Sequence, residues 1–139
     1  MVVLEKEREV DERIILLQQL QNEAEAIQRR IVELEIVDSQ LEKTIESLEY
    51  FNSLDEKVEA LMNLGGGVFA YVDVKNAKKM LVDVGAGVVI EKEVGEAIEF
   101  LKKKREIIQQ NVTTLEQALQ QIVERARQLQ QEIAEKREK

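Results

Sequence analysis

Two glycine clusters are the residues whose types and spacing most invite a chemical reading. Gly85-Ala86-Gly87 has the opening of a dinucleotide-binding loop, but that fingerprint needs a third glycine where Ile90 stands and a helix opening at once. A β-branched run follows instead, which is what a hairpin turn would have after it. Gly65-Gly66-Gly67 lacks the Gly-Lys-Ser/Thr ending of a phosphate-binding P-loop and reads as a turn or bulge. The three serines, Ser39, Ser47 and Ser53, have no histidine to activate them, because the chain contains neither histidine nor cysteine. That removes Ser-His-Asp and Cys-His catalysis, the usual zinc sites, thiol redox chemistry and disulfides. Carboxylates are abundant, as at Glu5, Glu7, Glu9, Asp11 and Glu12, but they fall on helix faces rather than converging in a pocket, as general acid–base or metal chemistry would require. The expectation is a protein that is not an enzyme and carries no cofactor.

The elements that must position any functional surface follow from where glycine is absent. All six glycines lie between Gly65 and Gly95, and there is no proline, so two glycine-free arms flank a glycine-containing middle. In the first arm, apolar positions step by four and three through Leu17, Leu20, Ala24, Ile27, Ile31, Leu34, Asp38, Leu41, Ile45 and Leu48, with only Asp38 breaking the series. The second arm steps through Ile98, Leu101, Arg105, Ile108, Val112, Leu115, Leu119, Ile122, Ala126, Leu129 and Ile133, with Arg105 as its one charged intruder. A 3.5-residue apolar repeat is the seam of a coiled coil. Arg105 would meet an acidic group on the partner helix or reach out to solvent. Arms of about 40–50 residues would be about 60–75 Å long, and each must bury its stripe. The economical solution is an antiparallel coiled coil whose two chain termini meet at its far tip.

The middle changes period. Val68, Ala70, Val72 and Val74 alternate with Phe69, Tyr71 and Asp73; Met80, Val82 and Val84 alternate with Leu81 and Asp83; Val88 and Ile90 alternate with Val89 and Glu91. Period-two, β-branched runs bounded by glycine predict strands. One hairpin pairs 61–64 with 68–74 across Gly65-Gly66-Gly67, a second turns at Gly85-Ala86-Gly87, and residues 75–79 form a polar link. The resulting fold class is α+β. Strands this few leave sticky open edges, so the sheet is expected to be completed by other chains. Val68, Phe69, Val72, Leu81, Val82, Val84, Val88 and Ile90 are the candidate subunit-interface residues.

At the other end, Ile14-Ile15-Leu16-Leu17 places four consecutive apolar residues around a helix, more than a two-helix seam covers. With Leu129 and Ile133 opposite, they form a candidate apolar binding surface, which Val2, Val3 and Leu4 could extend. The alternatives are a further helix contact with another subunit, or a disordered end. The formal net charge of −8 disfavours nucleic acid and anionic membranes as partners. No apolar run reaches the roughly 20 residues of a membrane span, and Val2-Val3-Leu4 is too short for a signal-peptide core, so a cytoplasmic protein is expected.

Taken together, the heptad arms, Leu64-Gly65-Gly66-Gly67-Val68-Phe69, the stretch Val82-Asp83-Val84-Gly85-Ala86-Gly87-Val88-Val89-Ile90-Glu91-Lys92 and Glu96-Ala97-Ile98-Glu99-Phe100-Leu101 resemble the α-class subunits of the prefoldin (GimC) family, archaeal type. The double hairpin favours the α over the β class. One departure is Asn63, where the family often has proline. The resemblance covers essentially the whole chain and implies a single prefoldin-like domain over 1–139, with a first coiled-coil helix at about 10–60, a double hairpin at about 61–92 and a second helix at about 95–136. It further implies a hexamer of two α and four β subunits whose hairpins assemble into an intersubunit β-barrel. Such a complex holds unfolded polypeptides without ATP and delivers them to a group II chaperonin. The competing readings are a prefoldin-like filament former, a structural or tethering coiled coil, and an accessory arm of a catalytic domain that this sequence does not contain.

Overall fold

The computed structural model describes residues 2–55 and 57–138. Helix α1 (Val2–Asn52) is followed by strands β1 (Val58–Gly65), β2 (Val68–Val74), β3 (Lys79–Gly85) and β4 (Val88–Glu93), and then by helix α2 (Val94–Glu138). Both helices are rich in Glu, Gln and Leu, residues that lose little on entering a helix, and α1 contains no glycine at all. The backbone clusters into two compact units, Met1–Val37 with Ile108–Lys139, and Asp38–Ile107.

In the first unit two antiparallel helical segments share an apolar seam. Val10, Ile31, Leu34, Ile108, Leu129 and Ile133 are buried in it, and Leu17, Leu20, Ala24, Ile27, Val112, Leu115, Leu119, Ile122 and Ala126 are half-buried. Ion pairs fix the direction of the segments: Glu9 meets Lys136, and four residues later Arg13 meets Glu132, one helical turn earlier on the partner. The buried Val10 and half-buried Arg13 carry the seam one heptad beyond Leu17 toward the N-terminus.

In the second unit Ile45, Val94 and Ile98 form the core, with Leu48, Phe51, Met80 and Leu101 packed around it. Here α1 stops at Asn52, short of the expected boundary near residue 60. No glycine or proline marks the end. Beyond Leu48 the seam series falls on Asn52 and Asp55, so the helix has little left to bury, and the half-buried Val58 and Ala60 already alternate with exposed residues. The last turn tightens: the Ser53 N–H donates to the Tyr50 carbonyl at 3.0 Å and the Leu54 N–H to that of Phe51 at 3.2 Å. The last turn of α1 holds no basic residue of its own, and Lys78 supplies one by donating from Nζ to the Asn52 carbonyl. The same Lys78 accepts at its carbonyl from the Val94 N–H at 2.9 Å, satisfying a donor in the first turn of α2. The link between the hairpins is therefore not merely polar. Ala77 within it is fully buried, and Asn76 Oδ1 accepts from the Lys78 N–H at 2.9 Å.

β1 pairs antiparallel with β2, and β3 with β4, as two separate two-stranded sheets. The register runs from Val58↔Val74 to Asn63↔Phe69 in one and from Lys79↔Glu93 to Asp83↔Val89 in the other. The turns are built alike. Gly66-Gly67 (φ 60° and 78°) and Ala86-Gly87 (φ 51° and 75°) are two-residue loops in the left-handed region, the primed geometry that matches strand twist. Just before each, the register shifts by one residue at Gly65 or Gly85. Gly85, at φ 124°, occupies a conformation closed to side chains. The bulged N–H of Gly65 is held by Asn63 Oδ1 at 2.8 Å, and that of Gly85 by Asp83 Oδ1 at 2.9 Å. Asn63 thus supplies a turn-forming acceptor in the strand position where a proline would have none.

Candidate interaction surfaces

The period-two pattern of the strands sorts their side chains into two faces. Val58, Ala60, Ala70, Val72, Val74, Met80 and Val82 are half-buried, while the alternate positions Leu61, Phe69, Tyr71 and Leu81 face outward. Tyr71 is 88% exposed and Leu81 75%. Toward the turns even this distinction fades: Leu64, Val68, Val84, Val88, Val89 and Ile90 are all exposed. Of the interface candidates, Val68, Phe69, Leu81, Val84, Val88 and Ile90 lie open, and Val72 and Val82 are half-buried. Each sheet has only two strands, so every strand also keeps one edge without a ladder partner in its sheet. The arrangement suits association by edge pairing and apolar packing together.

The N-terminal segment of α1 carries a second apolar surface. Val2, Val3, Leu4, Ile14, Ile15 and Leu16 are exposed, with Ile15 at 57%. The other tip candidates are placed differently. Leu17 is half-buried, Leu129 is only 1% exposed, and Ile133 is buried. Leu129 and Ile133 are therefore withdrawn from the candidate binding surface. They keep the seam places that the four-three spacing of α2 gives them, which turn them toward α1 rather than outward. Further exposed apolar residues, Val32, Ile36 and Val37 on α1 and Ile107 and Val123 on α2, lie off the seam, where the four-three spacing carries no signal for them.

Charge organises the rest of both units. In the first, the Lys136 ammonium donates to Glu9 and holds its carboxyl below the ordinary range, and the hydrogen bond from Arg13 Nε, at 2.9 Å, does the same for Glu132. Along α2, Arg127 donates to Glu124, lowering the carboxyl and raising the guanidinium. In the second unit the charged intruders of the two seams meet. Arg105 Nε donates to Asp38 Oδ1 at 2.8 Å and its terminal nitrogen to Oδ2 at 3.1 Å, which raises the guanidinium's pKa. Among the described residues no cluster of three or more His, Cys, Asp or Glu side chains is arranged to hold a metal ion, and no helix is long and apolar enough to cross a membrane.

The lowered carboxyls give an acid dependence of known sign. A carboxyl whose pKa falls on folding adds stability above its unfolded value, and that stability is lost as pH drops through the depressed folded value. Replacing Glu9 and Glu132 by Gln should therefore reduce thermal stability near neutrality, and the gap between variant and parent should close as pH falls below the ordinary carboxylate range. Melts followed by circular dichroism across that range provide the check; a gap that widens on acidification would contradict the pairing.

Two long helices flanking a pair of antiparallel hairpins define the class of the fold. Residues 20–139 match the prefoldin family, described as prefoldin subunit. The chain is 57% identical over 136 residues to a prefoldin subunit alpha of Archaeoglobus fulgidus, covering 98% of this chain and 99% of that one. It is 31% identical over 110 residues to a prefoldin subunit alpha of Thermofilum pendens, covering 79% and 85%. Its fold is similar to a chain in the structure of filamentous prefoldin from Methanocaldococcus jannaschii, at a TM-score of 0.72 and 20% identity, with 81% of this chain and 93% of that one covered. The chain belongs to the prefoldin family of chaperone subunits.

Proposed function

We propose that this chain is the α-class subunit of a cytoplasmic, ATP-independent holding chaperone. Its hairpins join those of β-class subunits in a β-barrel, two α with four β, and the assembly captures unfolded polypeptides and delivers them to a group II chaperonin. The observation that carries this reading is the pair of two-stranded sheets with open edges and outward Phe69, Tyr71 and Leu81, which a lone chain leaves in water, in a sequence 57% identical to an archaeal prefoldin subunit alpha. Holding requires apolar surface for the client and charge around it for solubility. The exposed Ile14, Ile15 and Leu16, among Glu9, Asp11, Glu12 and Arg13, meet both requirements. Several such weak patches in one assembly gain strength through multivalency.

The test mixes the purified chain with the β-class subunit of the same cell, measures mass, and follows light scattering when a denatured protein is diluted into the complex without ATP. A discrete hexamer that suppresses scattering is expected. A polydisperse ladder formed by the chain alone would instead favour filament formation. Replacing Ile14, Ile15 and Leu16 by Gln should leave the mass unchanged and lower the protection severalfold, since these side chains lie outside the seam. Undiminished protection would move client binding to another surface.

A further inference from the structure

Each helix by itself carries a complete seam. Leu20, Ile27, Leu34, Leu41 and Leu48 repeat at one heptad position of α1, and Leu101, Ile108, Leu115, Ile122 and Leu129 at one of α2. Nothing in that apolar ladder tells α1 to pair with α2 rather than with the α1 of a second copy, since a parallel two-stranded coil is satisfied by the same spacing. The ladder is broken once in each helix, by Asp38 and by Arg105, and within the Asp38–Ile107 unit these two meet. The contact is a two-pronged carboxylate–guanidinium pair at 2.8 and 3.1 Å, with Glu42 a further 3.8 Å from the guanidinium. Both side chains are largely withdrawn from water, at 22% and 24% exposed.

A pair so placed is a poor means of stabilising a seam, because desolvation offsets much of its attraction and well-packed apolar residues commonly do as well or better. Its value lies in what it denies. In a parallel pairing with a second copy, equivalent seam positions face each other. Asp38 would then meet Asp38, with Glu42 adding to the repulsion, and Arg105 would meet Arg105. The pairing of α1 with α2 instead brings opposite charges together. We propose that Asp38 and Arg105 act as a pairing code that commits α1 to α2 and excludes like-with-like coiled coils between copies of this chain. The proposal does not depend on which clients the protein holds.

The chain's lack of cysteine supplies a clean reporter. In a parallel α1–α1 coil position 41 faces position 41 of the other copy, whereas in the native fold it lies half-buried in the seam with α2. The full chain with Leu41→Cys is refolded from denaturant, oxidised and run on a non-reducing gel, with helicity recorded on the same samples. Little disulfide-linked dimer is expected. Adding Asp38→Ile and Arg105→Leu should raise the dimer roughly tenfold or more, as like-charge repulsion is removed, with no loss of thermal stability. The conservative pair Asp38→Glu with Arg105→Lys, and the exchanged pair Asp38→Arg with Arg105→Asp, should both remain at the level of Leu41→Cys alone. An apolar pair that yields no more dimer than that level overturns the proposal. So does a conservative pair that yields as much as the apolar one.

Discussion

Leu129→Asp is expected to unzip the Met1–Val37/Ile108–Lys139 unit, with a loss of about 3–5 kcal/mol. Leu129 is 1% exposed, and with Val94 it is one of the two largest side chains that are completely enclosed. Its removal forfeits apolar burial, and the incoming carboxylate would enter the seam with no cation supplied for it; Arg13 and Arg125 are already engaged with Glu132. A two-helix layer has little other core to compensate, so the helical signal of this unit should melt at markedly lower temperature. Gln117→Asp, at an exposed position of the same helix, should change stability by no more than about 0.5 kcal/mol. Thermal and denaturant melts by circular dichroism distinguish the two, and equal damage from both would contradict the register of the seam.

That prediction rests on the part of the fold most legible in the sequence. A coiled-coil seam is written by local spacing alone, so every apolar residue of the two ladders proves buried or half-buried. The hairpin turns are legible for a related reason: loops with φ between 51° and 78° at their two central residues favour glycine, and five of the six glycines sit in such loops or at the residue before them, as Gly65, Gly66, Gly67, Gly85 and Gly87. What spacing does not encode is where a helix ends when no breaker is present. The end of α1 at Asn52 depends on the seam running out at Asn52 and Asp55 and on Lys78, distant in sequence, reaching the Asn52 carbonyl. The meeting of Asp38 with Arg105 is also invisible in either helix read singly, because it follows only from the relative register of the two. The same limit governs the surfaces. Periodicity marks Ile14-Ile15-Leu16-Leu17 as too much apolar surface for one seam and gives Leu17, Leu129 and Ile133 seam places, but only the structure shows how fully Leu129 and Ile133 are enclosed while Ile15 is left out.

Assembly gives the other large expected effect. Phe69→Lys with Leu81→Lys should leave the isolated chain as helical and as stable as before, because both side chains already stand in water, at 57% and 75% exposed. If the hairpins associate as proposed, those two side chains lose that water on assembly. Complete burial of a large apolar side chain contributes about 1.5–3 kcal/mol, so removing two that still expose over half their surface costs roughly 2–4 kcal/mol of association, about thirtyfold or more in affinity before the cost of enclosing two ammonium groups is counted. Asn63 and Asp83 hold the bulged turns independently of either replaced residue, so the hairpins themselves should persist. Mixing the variant with β-class subunits at micromolar concentration should therefore give the mass of free chains where the parent gives a complex, with unchanged circular dichroism. A variant that still assembles at the parent's concentration dependence would place the interface on the half-buried face of Val72 and Val82 or on the helices, and the outward face of the strands would need another explanation.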